Sequence, residues 1–148
     1  MKITDIKTFT VDCFRTNWVF VKVYTDEGID GVGEATLEYK EKALWGAVEH
    51  IKEAIVGQDP RNIEEIWHGI YRDAYWRGGA VLMSALSAVE MALWDILGKS
   101  LNVPVYQLWV ASAVRRPAST STVGLPVLRS RSSLARRPSR LTSVASPP

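Results

Sequence analysis

Cysteine is nearly absent from this 148-residue chain: Cys13 stands alone. No internal disulfide can form, and a reducing, cytoplasmic setting is the default for such a composition. Histidine is almost as scarce, with only His50 and His68. Neither has Cys-His or His-Glu-x-x-His spacing, so a zinc site is not indicated. Neither has a credible nucleophile partner, so no Ser-His-Asp or Cys-His set can be assembled. Both read as surface or half-buried helix residues. The opening "MKITDIKTFTV" alternates polar and apolar residues and lacks the apolar segment of a signal peptide. No apolar run is read as long enough to span a membrane. The last stretch lacks most: from Ala111 to Pro148 there is no Asp, Glu, Lys or aromatic residue.

That last deficit divides the chain. The formal charge of +2 averages two unlike parts. Arginines 115, 116, 129, 131, 136, 137 and 140 supply the tail's charge; without them, residues 1–110 hold 11 basic and 16 acidic residues, about −5. A basic total hints at nucleic acid or an anionic membrane surface. Here the hint belongs to the tail alone. Such an Arg/Ser/Ala/Pro string cannot bury enough apolar surface to order itself, so 109–148 reads as a disordered tail.

What is present before it is periodic. Ile3, Ile6, Phe9 and Val11 lie in a strand-like opening. "WVFVKVYT", from Trp18 to Thr25, puts Val19, Val21 and Val23 on one face and Lys22 and Tyr24 on the other. "DEG" is a turn, and "IDGVGEA" a third strand thinned by Gly31 and Gly33 where something packs closely. From Glu41 the period changes. Leu44, Ala47, Val48, Ile51, Ala54 and Ile55 mark an amphipathic helix ended by Gly57. Asp59-Pro60 is placed at the start of a second helix, as N-cap and N1, with a stripe of Ile63, Ile66, Trp67, Ile70 and Tyr71. "RGG" at 77–79 breaks it. A third helix, Ala80–Lys99, is apolar around much of its circumference, and Pro104 is read as barring further helix. The fold class is α+β: a three-stranded antiparallel meander followed by a three-helix segment. The last helix is greasier than three strands and two helices require, which implies a missing partner surface.

Chemistry-bearing motifs are few. "GVGEA" is no phosphate loop, because no helix starts directly after it and no Gly-Lys-Ser/Thr follows. Glu34 reads as a structural carboxylate at a strand end. Asp73 and Asp95 read as ion-paired helix carboxylates beside Arg72, Arg77 and Lys99. Trp45, Trp67, Trp76 and Trp94 fit helix packing. The exceptions are two loops that mix charge, amide and aromatic groups, "DCFRTN" (Asp12–Asn17) and "TLEYKE" (Thr36–Glu41).

"TDEG-x-x-G-x-GE", "GQDP", "YWRGG" and "ALWDI-x-GK", in this order and spacing, resemble the N-terminal capping domain of the enolase superfamily. The likeness lies in its mandelate racemase-like branch, closest to acid-sugar dehydratases of the galactonate and gluconate type. It covers residues 1–108. It implies a lid over the mouth of a (β/α) barrel, with the two loops helping to choose substrate; Arg15, Asn17, Trp18, Glu38 and Tyr39 are then the substrate-facing candidates, none of them an invariant catalyst. It further implies that the parent enzyme dehydrates an aldonic acid to a 2-keto-3-deoxy acid with Mg²⁺, is a homo-oligomer, and keeps its metal ligands and bases on the barrel strand ends. No catalytic or metal-binding residue is then expected in this chain, and its partner is the barrel.

The resemblance also addresses the tail. Codons for Trp109–Ser112, read two bases later and with Ser112 as an AGY codon, can encode Gly-Gly-Lys; those for Ala118–Gly124, in that same frame, can encode Val-Tyr-Val-Asn-Gly-Trp. Both match what the family carries beyond "YQL". The tail is therefore expected to be out-of-frame translation after about residue 108. The rival reading is a non-catalytic α+β module whose basic tail binds nucleic acid; the tail lacks the aromatics that stack on bases.

Overall fold

The computed structural model describes residues 1–109. From residue 110 on, the tail expected to be disordered, out of frame or nucleic-acid-binding falls outside the residues described; Trp109, assigned to that tail, instead ends a short helix and meets the Trp94 ring edge-on, centroids 5.7 Å apart. Three strands come first: β1 (Ile3–Cys13), β2 (Thr16–Thr25) and β3 (Asp30–Glu34). They form one antiparallel sheet in the order β1-β2-β3. Four helices follow: α1 (Glu41–Ile55), α2 (Ile63–Tyr71), α3 (Ala80–Leu101) and a short α4 (Val105–Trp109). This is the α+β class expected, with one helix more.

Alternation explains the sheet. Val19, Val21 and Val23 of β2 are fully buried toward the helices, as are Ile3 and Ile6 of β1. Residues three apart face opposite ways in a regular strand, so Ile3 and Ile6 can share a face only across an irregularity. The β1–β2 register shifts between Ile3 and Asp5, which supplies it. Helix α1 answers with Leu44, Val48, Ile51 and Ile55, all buried. Each such side chain contributes about 1.5–3 kcal/mol of apolar burial.

Helix α3 is the centre of the domain. Leu86, Val89, Leu93 and Ile96 are buried, but so are Ala85, Ala88 and Ala92. The alanines let its backbone come down onto β3, where Gly31 and Gly33 meet it. A Cβ on Gly33 would overlap the Ala88 carbonyl, and one on Gly31 the Ala92 carbonyl. The two glycines read as thinning the strand do so for this helix.

Asp95 and Lys99, one turn apart on α3, form an ion pair at 2.8 Å. Their second task is to cover part of the free edge of β3. The Val32 N–H donates to Asp95 Oδ2 at 3.1 Å, and Lys99 Nζ donates to the Asp30 carbonyl at 2.6 Å. Two of the backbone groups that would template another strand are thus occupied by side chains of the same chain. Asp95→Ala removes the partner of the Val32 amide and leaves Lys99 only the Asp30 carbonyl. Because these groups are partly exposed to solvent, it should cost about 0.5–1 kcal/mol, read as a lowered urea midpoint with unchanged slope.

Several expectations are corrected. Asp59-Pro60 does not open α2. Asp59 accepts from the Arg61 backbone N–H and guanidinium, and the Asn62 N–H donates to the Asp59 carbonyl. This closes a turn before the helix starts at Ile63. The Arg61 guanidinium holds the Asp59 carboxyl well below its ordinary range, at about 2. Pro104 ends nothing further, because α3 has already stopped at the left-handed Asn102 (φ 53). A proline is tolerated at a helix start, and the Gln107 N–H donates to the Pro104 carbonyl as α4 begins. Trp76 is not a packing residue: it lies between helices, 83 % exposed. Asp73 has no ion pair among the described residues; Arg77 donates instead to the carbonyls of Arg72 and Ala74.

Helix α3 is also long and apolar enough, by length and composition, to cross a membrane, contrary to the expectation of no such run. Glu90 and Asp95 hid it. Its buried face is the core of this domain, on which the sheet, α1 and α2 pack. The apolar excess is smaller than the sequence implies, since Leu82, Trp94 and Leu97 are partly buried against the core. What stays open on α3 is Met83, Met91 and Leu101, with Tyr106 and Trp109 of α4 exposed just beyond its C-terminal end.

Candidate functional site

Both candidate loops emerge at one end of the sheet. Strand β2 leaves that end and β3 returns to it, so the β1–β2 turn and the β3–α1 connection are neighbours. The structure shortens the first loop. The pairs Val11↔Trp18, Asp12↔Asn17 and Cys13↔Thr16 continue the ladder, leaving a two-residue turn of Phe14 and Arg15. Asn17 and Trp18 are therefore strand residues. Alternation then sends their side chains to opposite faces: Asn17 joins the face of Val19, and Trp18 the outer face beside Phe20, ring centroids 6.1 Å apart. Arg15, Glu38 and Tyr39 are exposed on the two loops. The structure brings the loops together but does not converge all five candidates on one point.

What laces the loops is a set of bonds the sequence did not reveal. Asn17 Nδ2 donates to Glu41 Oε1 at 3.3 Å. The Val19 N–H donates to Thr36 Oγ1 at 3.1 Å, and the Ala35 N–H donates to the Val19 carbonyl at 2.8 Å. Trp45 Nε1 donates to Thr10 Oγ1 at 3.1 Å, tying α1 to the hairpin from the same side. Glu41 was read as the end of the second loop and the start of the helix, but not as one of the candidate residues. As the first residue of α1 it also sits where a carboxylate is favoured by the helix dipole.

Two aromatic residues at the tips occupy the left-handed region, Phe14 at φ 42 and Tyr39 at φ 60. Such a conformation costs a bulky residue about 1–3 kcal/mol. Neither is buried in return: Tyr39 is 78 % exposed and Phe14 fully so. Beside the second loop, Glu34, Ala35, Thr36, Ala80, Met83, Ser84 and Ser87 line an open depression of about 400 Å³. Glu34 is at its rim at the end of β3. Ser84 and Ser87, one turn apart on α3, are further polar groups that sequence reading left aside.

The histidines behave as expected. His68 is exposed, 3.9 Å from Glu64, and His50 is exposed on α1. Among the described residues, no three His, Cys, Asp or Glu side chains gather in a way that could hold a metal ion. Shifted carboxylates are structural pairs. The Lys52 ammonium, 2.6 Å away, pulls Asp5 down, and Lys22, 2.9 Å away, does the same to Asp30.

Residues 5–109 match the family described as mandelate racemase / muconate lactonizing enzyme, N-terminal domain. The chain belongs to that family, and its fold is that of an enolase-superfamily N-terminal domain, of the kind found in galactonate- and gluconate-dehydratase-like enzymes. A D-galactonate dehydratase of Variovorax paradoxus is 45 % identical over 108 residues, which is 73 % of this chain and 28 % of that protein. One from Ralstonia nicotianae is 42 % identical over 124 residues, 84 % of this chain and 32 % of the relative. A solved enolase from Pantoea ananatis with bound D-gluconate and Mg superposes with a TM-score of 0.69 at 40 % identity, over 72 % of this chain and 26 % of that one. The chain thus spans about a third or less of the length of these relatives.

Proposed function

We propose that residues 1–108, with Trp109 completing α4, act as the substrate-capping domain of an acid-sugar dehydratase-like enzyme, and that 110–148 lie outside that domain. The complete enzyme would convert an aldonic acid to a 2-keto-3-deoxy acid with Mg²⁺, losing a proton beside the carboxylate and a β-hydroxyl as water. The observation that carries this is the pair of loops laced at one end of the sheet by Asn17–Glu41 and Val19–Thr36. A lid needs such an end: one rigid base with polar and aromatic tips held clear of the core. Arg15 from the β1–β2 turn, Asn17 beside it on β2, and Glu38 and Tyr39 from the β3–α1 connection are the groups proposed to meet a polyhydroxylated acid. Arg15 suits its carboxylate, while Asn17 and Glu38 suit its hydroxyls. Trp18 faces away from Asn17 and is proposed to shape the arm that carries the turn. The residues described do not fit a Mg²⁺ site, so the metal, the base and the barrel they sit on are assigned to the remainder of the enzyme.

The 148-residue chain is accordingly expected to be silent by itself. Incubated with Mg²⁺ and D-galactonate or D-gluconate, it should form no 2-keto acid above a protein-free control, followed by a carbonyl-trapping assay. Product formation that scales with protein and vanishes on heat treatment would contradict the proposal.

A further inference from the structure

We propose that Trp45 is a positioning residue of the lid: its indole N–H fixes the far end of the β1–β2 hairpin and so sets where Arg15 stands. The inference rests on the capping role proposed above and adds to it a residue on neither loop. The hairpin outruns the body of the domain. The β2–β3 ladder stops at Phe20↔Glu34, while the β1–β2 ladder continues to Cys13↔Thr16. Past Phe20, β2 keeps one further tie to the segment after β3, through the Val19 N–H to Thr36 Oγ1 and the Ala35 N–H to the Val19 carbonyl. From there outward the hairpin is a two-stranded arm, which is marginal by itself. Its face changes character at the same place. Residues directly opposite across a ladder share a face, so Thr10 and the pair Asp12↔Asn17 continue the face of Val19, Val21 and Val23. The valines are fully buried, whereas Thr10 and Asp12 are exposed and Asn17 is only partly buried. Apolar burial ends where the arm begins, and polar bonds have to hold it.

Among the described residues, two side-chain hydrogen bonds reach that arm from outside it, and both come from α1. Glu41 Oε1 accepts from Asn17 Nδ2 at 3.3 Å; Trp45 Nε1 donates to Thr10 Oγ1 at 3.1 Å. Glu41 and Trp45 stand one helical turn apart and therefore on one face of α1. They grip different strands, Asn17 on β2 and Thr10 on β1. A single anchor leaves an arm free to swing about it; two anchors on two strands fix its tilt. Trp45 is 40 % exposed, more than a packing role requires. Its side chain has only two torsions to fix, so the bond holds the arm at a defined distance from α1. The ladder from Thr10 to the turn then carries that placement out to Arg15, whose own side chain is exposed and bonded to nothing among the described residues.

Two measurements test this. Trp45→Phe keeps a ring and removes the donor, Thr10→Val removes the acceptor, and Thr10→Ser keeps it. In the 148-residue chain, amide hydrogen exchange at Val11 and Trp18, within the arm, should quicken about threefold to tenfold in the first two variants, the worth of one hydrogen bond. Val21 and Val23 should change much less, and Thr10→Ser should match the parent. The second measurement uses a chimera with residues 1–108 in place of the matching residues of the D-galactonate dehydratase of Variovorax paradoxus. There Trp45→Phe and Thr10→Val should each raise KM for D-galactonate about threefold to tenfold and leave kcat within about twofold. In an Arg15→Ala background Trp45→Phe should add nothing, because the group it positions is gone. If Trp45→Phe unfolds, Thr10→Val decides. Unchanged exchange in the arm, an active chimera whose KM ignores both variants, or a loss that falls on kcat would overturn the proposal. An inactive chimera would count against the capping role instead, and the exchange measurement would still decide whether Trp45 holds the arm.

Discussion

Gly33→Val is expected to leave this domain unfolded at room temperature, and Gly33→Ala to reduce its stability by about 3 kcal/mol or more. The reason is a collision of backbone with side chain. An added Cβ at 33 would overlap the Ala88 carbonyl oxygen. That oxygen belongs to the helix ladder and has no rotamer with which to move aside. Relief requires α3 to lift from β3, which uncovers Val21 and Val23 as well as Ala88, Ala92 and Ile96, all fully buried. A domain of this size has only about 5–15 kcal/mol of stability in total. Gly31→Ala should behave similarly, because Ala92 and Ile96 stand over it. The contrast is Gly46 on α1, where a Cβ would meet nothing within 4 Å. Gly46→Ala should stabilise by about 0.5–1 kcal/mol through helix propensity. Urea unfolding followed by circular dichroism and tryptophan fluorescence checks all of these. A folded Gly33→Val with an unchanged midpoint would show that α3 and β3 are not held at this separation.

Those glycines illustrate what was legible in the sequence. Two small residues alternating in a β-branched strand announced a close approach, but not the element that makes it. Ala85, Ala88 and Ala92 carried the complementary signal on α3, and a search for large apolar residues passes over alanine. The alternation of Val19, Val21 and Val23 was read correctly, because one covered face leaves little freedom in a strand. Boundaries fared worse where polar residues extend an element. Asp12, Thr16 and Asn17 look like loop chemistry, yet the ladder runs through them because their cross-strand partners are in place. Asp59-Pro60 looks like a helix start, but the Arg61 side chain competes for the same carboxylate and closes a turn. At the candidate site, the residue types in both loops were visible, and their lacing was not. Asn17 and Glu41 are 24 positions apart, and only the return of β3 to the hairpin end makes them neighbours. "ALWDI-x-GK" was recognised as a family motif; its physical work, covering part of the β3 edge with Asp95 and Lys99, emerges only from the structure.

The second large effect concerns function. If residues 1–108 are a lid shaped for a catalytic body elsewhere, they should work when given one. Grafting them in place of the matching residues of a D-galactonate dehydratase such as that of Variovorax paradoxus, 45 % identical over this stretch, should restore the groups that the described residues lack. The loops would then stand over a site able to use them. Within that chimera, Asn17→Ala cuts the link to Glu41. It should raise KM for the sugar acid by roughly tenfold, the equivalent of about 1.4 kcal/mol, with kcat much less affected, because the loops would bind substrate without touching the reacting atoms.

Turnover of D-galactonate and D-gluconate by the purified chimera, in Mg²⁺ and beside the dehydratase lacking its own N-terminal residues, is the most direct test. The account predicts a folded chimera that forms 2-keto-3-deoxy product where the truncated dehydratase forms none. A well-folded chimera with no activity on any aldonic acid would contradict it.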